Sequence, residues 1–106
     1  MATVYVTEFT APFVDFSKGM PMVGFGAKVA QNNVAIGGAS AQSNAFAATT
    51  RVIRVHTDAI CAVEVGGTNP TATNGGGATA SSRMAANQTE YYYVNPGDKI
   101  AVISTT

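Results

Sequence analysis

His56, Asp58 and Cys61 fall within six residues of one another, the nearest approach in this sequence to a set that could do covalent chemistry. A histidine beside a cysteine can take the thiol proton and leave a nucleophilic thiolate, provided a third group orients the ring. The surrounding pattern argues against it. Arg51–His56 and Ile60–Val65 alternate as two strands joined at Thr57 and Asp58. A loop of two or four residues there gives one hairpin register. Arg51 then faces Glu64, Ile53 faces Ala62 and Val55 faces Ile60, while Val52 meets Val63, Arg54 meets Cys61 and His56 meets Ala59. The cross-strand Arg–Glu pair, worth about 0.2–1 kcal/mol, opposes slippage. Arg54 and not His56 lies opposite Cys61, and no third orienting group is evident. Cys61 therefore reads as a small buried apolar residue. As the lone cysteine it forms no intrachain disulfide. His56 is the lone histidine and supports no histidine-built metal site within one chain.

Other constellations give no catalytic set either. Glu8, Asp15, Asp58, Glu64, Glu90 and Asp98 are scattered singly and read as solvated surface charge, whereas glycoside hydrolysis needs two carboxyls to converge. No GxSxG elbow is present. The Gly75–Gly77 triplet lacks the GxxxxGK[ST] spacing and has no following helix to present amide donors to a phosphate. The chain reads as a non-enzyme without cofactor or metal. Tyr91-Tyr92-Tyr93 points instead to recognition. Alternation sends Tyr91 and Tyr93 to one face of a strand and Tyr92, with Glu90 and Val94, to the other. At least one phenol is then exposed or in an interface, where tyrosine is enriched.

These residues must be positioned by strands. The chain has no leucine but twelve valines, five isoleucines and thirteen threonines. Two heavy atoms on Cβ crowd a helix and fit a pleated strand. The predicted fold is all-β: a small antiparallel sandwich, jelly-roll-like, with one long Gly/Ser/Thr-rich loop. Its 106 residues form a single domain, 1–106.

Val4–Glu8 is the first strand, followed by Pro12 with Phe9, Phe13 and Phe16 as a corner that plugs one end of the core. Lys18–Pro21 is turn chemistry, Met22–Ala30 a strand, Asn32-Asn33 a turn, Val34–Gly38 a short strand and Ala39–Ala45 a loop. Gly66–Ser82 has almost no bulky apolar residue and reads as a long exposed loop. Asn95-Pro96-Gly97-Asp98 fits a type II turn, with Pro and Gly at its centre, before a last strand from Lys99 to Ile103. About seven strands with turns every eight to twelve residues suit a sandwich or jelly roll.

Six basic and six acidic residues, together 11% of the chain, leave no net charge. A typical domain carries about 25% charged residues. Neutrality removes the clustered cations of a nucleic-acid binder and favours association. A homo-oligomer is expected, a trimer before a dimer. No run of 18 apolar residues provides a membrane helix, and the N-terminus lacks the pattern of a signal peptide. Synthesis in a reducing cytoplasm is expected.

From Arg51 onward the order of features resembles a family of small tailed-bacteriophage virion proteins. The matching elements are VIRVHTDAICAVEVG, TNPTAT, SSRM before NQTEYYYV, and NPGDKIAVIST, over residues 51–104. The resemblance implies a head or tail structural protein, and most specifically a β-sandwich decoration (cement) protein that binds and stabilises the head shell. Its partners would be the major capsid protein or other virion proteins, and its place the virion. Tyr91, Tyr93, Asn69, Pro70 and Asn74 are the candidate interface residues. A tail or head–tail connector component is the alternative within that class. A lectin-like receptor-binding module, using tyrosine and Asn/Asp side chains against sugar, is the alternative outside it.

Overall fold

The computed structural model describes the chain apart from residues 1, 12, 16–21, 25, 76–79 and 106. The predicted Lys18–Pro21 turn, Pro12 and Phe16 of the predicted corner, and two glycines of the triplet lie outside the described residues. Ten strands run in chain order: β1 (Thr3–Phe9), β2 (Phe13–Asp15), β3 (Met22–Gly24), β4 (Lys28–Ala35), β5 (Ala41–Gln42), β6 (Val52–Thr57), β7 (Cys61–Val65), β8 (Ser82–Met84), β9 (Thr89–Tyr93) and β10 (Ile100–Ser104).

The fold is all-β, as composition requires. Two four-stranded antiparallel sheets have the orders β4-β1-β6-β9 and β5-β10-β7-β8, and β2 pairs with β3 separately. Burial alternates along β1, whereas β10 is buried on both faces from Ile100 to Ile103. In β1, Val4, Val6 and Glu8 are buried while Tyr5 is exposed. Val4, Val6, Ile53 and Val55 from the first sheet meet Cys61, Val63, Ile100 and Val102 from the second in one core cluster. Each fully buried valine or isoleucine contributes about 1.5–3 kcal/mol over exposure. Branched side chains that no helix favours thus supply most of the core.

The hairpin expected between residues 51 and 65 does not form. β6 lies in one sheet and β7 in the other, so Arg51 does not face Glu64, nor Arg54 Cys61. β6 pairs with β9, Val52 opposite Tyr93 and Arg54 opposite Tyr91, whereas β7 pairs with β8, Cys61 opposite Met84. Both ladders share one register: each step forward on the first arm matches one step back on the second. A single antiparallel ribbon therefore bends from sheet to sheet at residues 57–60 and 85–88. Buried Thr57 holds the bend. Its hydroxyl donates to the Ala59 carbonyl (2.6 Å) and accepts from the Ala59 amide (3.2 Å). On the returning arm the Gln88 amide donates to the Ala85 carbonyl, and Asn87 takes φ 64°, a conformation asparagine tolerates.

The ribbon bends again after β9. There Asn95–Asp98 makes the expected turn, with Gly97 at φ 85° and the Asp98 amide on the Asn95 carbonyl at 3.1 Å. β5 then meets β10, and β1 fills the slot between β4 and β6. This wrapping of paired strands around two sheets is that of a jelly roll.

Further expectations change. The strand predicted over 22–30 is broken: β3 ends at Gly24 and β4 begins at Lys28. Asn32 and Asn33 are not a turn but the middle of β4, opposite Val6 and Tyr5. Only Val34 and Ala35 of the strand predicted over 34–38 are extended, as the end of β4, and β5 interrupts the loop predicted over 39–45. Glu8 is not solvated. It is 1% exposed and accepts from the Ala47 amide (2.9 Å), the Thr50 hydroxyl (2.7 Å) and the Asn32 carboxamide. Asn32 explains both errors, because an inward-facing amide in a strand supplies the donor that an inward-facing carboxylate requires.

Candidate interaction surface

The sandwich has two outer faces of different chemistry. On the β4-β1-β6-β9 sheet, register aligns Asn33, Tyr5, His56 and Thr89 in one row, and Gln31, Thr7, Arg54 and Tyr91 in the next. A third row carries Lys28, Phe9, Val52 and Tyr93. The ladder puts Tyr91 and Tyr93 on this face, as alternation predicts, and they are 49% and 79% exposed. Tyr92 packs against the core instead, where burial, aided by the Glu90 charge, pushes its phenol up from its ordinary value.

Polar side chains on this face are tied to one another. The Thr7 hydroxyl donates to Gln31 Oε1 (2.7 Å), and Gln31 Nε2 donates to Asn33 Oδ1 (3.1 Å). His56 Nδ1 shares a hydrogen bond with Thr89 Oγ1 at 2.8 Å, and its ring lies 6.5 Å from that of Tyr5. Arg54 stands between Thr7 and Tyr91. By register, no described residue on the three rows is acidic.

The other face is covered by its own chain. Gly66 and Gly67 take φ 112° and 76°, reversing the chain after β7 while trading backbone hydrogen bonds with Lys99. The following segment crosses the outside of the β5-β10-β7-β8 sheet. Ala72, 3% exposed, packs with Ala62, Ala101 and Ile103 in a second small cluster. Side chains fasten it at several points. Gln42 Nε2 donates to Asn69 Oδ1 and the Pro70 carbonyl, both at 2.8 Å. Ser40 Oγ accepts from the Ala72 amide, Ser81 Oγ from the Thr73 amide, and Asn74 donates to the Ser104 carbonyl. The expected exposed loop is therefore, through residue 75, a fastened strap. Small residues suffice because the sheet beneath offers alanines, and short side chains supply the hydrogen bonds.

The five candidate interface residues are thus divided. Tyr91 and Tyr93 stand on the first face, and Asn69, Pro70 and Asn74 belong to the strap. Pro70 is buried, and the two asparagines hold the strap to Gln42 and Ser104. Sequence reasoning missed Arg54, His56, Tyr5 and Gln31 as neighbours of Tyr91, since only the β1–β6–β9 order aligns them.

His56 and Cys61 are not brought together. Cys61 is fully buried in the core cluster, its Sγ donating to Thr57 Oγ1 at 3.6 Å, while His56 belongs to the outer row. Burial pushes the Cys61 thiol up, with the Asp58 charge acting the same way against the Thr57 hydrogen bond. Among the described residues no three His, Cys, Asp or Glu side chains converge as metal ligands. Comparison with protein-family models, curated proteins and solved structures returns no match.

Proposed function

We propose that this protein is a structural component of a tailed-bacteriophage particle, a non-enzymatic decoration protein that binds the head shell and reinforces it. The resemblance over residues 51–104 suggests the setting, and the strap is the observation that carries the role. A segment of ten described residues, 66–75, is laid along a sheet and pinned by one methyl group and several side-chain hydrogen bonds. It presents short polar groups, with Thr68, Asn69, Thr71 and Thr73 exposed. Such a surface loses little side-chain entropy on contact. The strap face then meets the shell, in a homo-oligomer with a trimer preferred, and the tyrosine face points away.

Co-sedimentation of the purified protein with shells lacking it tests the reading. The protein should pellet with shells, and Thr71→Arg, which adds bulk and charge at an exposed strap position, should abolish pelleting without changing the melting temperature. Failure of the parent to pellet removes the shell role. Binding to isolated tails instead selects the connector or tail alternative.

A further inference from the structure

We infer that the outer face of the β4-β1-β6-β9 sheet is a binding site for an acidic saccharide, a chain of carboxylate-bearing pyranose rings. The inference stands apart from the virion reading, because it rests only on this face and is tested without particles.

Charge selects the ligand. The face carries Arg54 and Lys28, with His56 between Tyr5 and Thr89, and register places no carboxylate of the described residues beside them. Among the described residues acids lie elsewhere: Glu8 is buried in the core, Glu64 accepts from Ser81 under the strap side, and Asp58 caps the Thr3 amide at the bend. A second copy applied to the same face would set like charges together, which disfavours self-association here. A polyphosphate chain would require a longer run of cations than these. A ligand with isolated carboxylates fits, since one guanidinium can take one carboxylate through two parallel hydrogen bonds.

Shape and polarity select the sugar. Arg54 and Tyr91 are directly opposed, so their Cβ atoms lie about 5 Å apart. A pyranose whose C–H face rests on the half-exposed Tyr91 ring would bring its carboxylate to Arg54. Tyr5, 38% exposed, is two strands across and one row along, roughly 12 Å away by sheet spacing. That span suits a short oligosaccharide lying across the strands. Beyond Tyr5, on β1 and β4, the Thr7–Gln31–Asn33 chain is already fixed by its own hydrogen bonds, which leaves the Asn33 amide donors to meet hydroxyls without further ordering.

Calorimetric titration at low salt tests this with oligogalacturonate, oligomannuronate and hyaluronan fragments. Maltohexaose is the neutral control and a single-stranded oligonucleotide the polyphosphate control. At least one uronate oligomer should bind, and maltohexaose and the oligonucleotide should bind at least tenfold more weakly. Arg54→Ala and Tyr91→Ala should each weaken uronate binding about tenfold or more, and Arg54→Lys should restore only part of it. Arg83→Ala, at the edge of the other sheet, should change nothing. Absence of binding by all three uronates at millimolar concentration would overturn the assignment. So would equal binding of maltohexaose, tighter binding of the oligonucleotide, or insensitivity to both Arg54 variants in proteins that melt like the parent.

Discussion

Arg54 and Tyr91 face each other across the β6–β9 ladder, a guanidinium beside a half-exposed phenol on a sheet face whose described rows carry no acid. The pairing depends on the ribbon bending at residues 57–60. Had 51–65 closed as a flat hairpin, Arg54 would have met Cys61, while Glu64 would have faced Arg51 on the other side of the ribbon. The bend sends Cys61 and Glu64 to the second sheet and gives Arg54 an aromatic neighbour in place of a thiol.

An outward Tyr91 predicts a mild stability effect. Tyr91→Ala should cost less than about 1 kcal/mol, as surface substitutions do. Denaturant unfolding measures it. A loss above about 3 kcal/mol would mean that the face is core.

Because the Arg54 face is not self-complementary, a two-fold contact through it is disfavoured, and the proposed homo-oligomer is expected to form without Arg54. Light scattering at roughly tens of micromolar should give a trimer mass for the parent and for Arg54→Glu alike. Dissociation of the trimer by that substitution would place Arg54 in the subunit interface.

Glu8 is buried with several donors fixed upon it, so Glu8→Ala strands the Ala47 amide and the Thr50 hydroxyl. Each unsatisfied buried group costs about 1–3 kcal/mol, and a loss of about 3 kcal/mol or more is expected in urea unfolding. Glu8→Gln keeps an acceptor for Thr50 and should cost less.

Ala72 is the strap's apolar pin. Ala72→Asp sets a charge over Ala62, Ala101 and Ile103, and should free the strap while the core of both sheets stays folded. Limited proteolysis should show rapid cutting near residues 68–75 in the variant and slow cutting in the parent. Equal rates would mean that the pin holds nothing.

The thiol and phenol of Cys61 and Tyr92 are both pushed up, so the native state holds their protons more tightly than the unfolded chain does. Stability from these groups is complete below their ordinary values and declines as pH rises through roughly 9 to 10 and beyond. Urea midpoints should fall across that range, and Cys61→Ser should remove part of the slope. Thiol labelling of the native protein should be slow and should track unfolding.

Much of this was legible in the sequence. Branched residues without leucine required strands, alternation placed Tyr91 and Tyr93 together, and Pro96-Gly97 required its turn. Cys61 was legible as core. Partner choice was not. Two adjacent alternating runs pair equally well on paper whether they form a hairpin or continue a bent ribbon, and the difference lies in Thr57, whose side chain fastens a corner. Asn32 misled for a related reason: asparagine favours turns until a buried acceptor such as Glu8 uses its amide. The strap was hidden because its hydrogen bonds run to Ser40, Gln42 and Ser104, far away in the chain.

The central claim, that this is a virion structural protein, is tested most directly by quantifying the chain in particles purified from a lysate of the strain that carries its gene. Mass spectrometry against the major capsid protein should find it on the head in amounts comparable with that protein. Complete absence from purified particles would contradict the account.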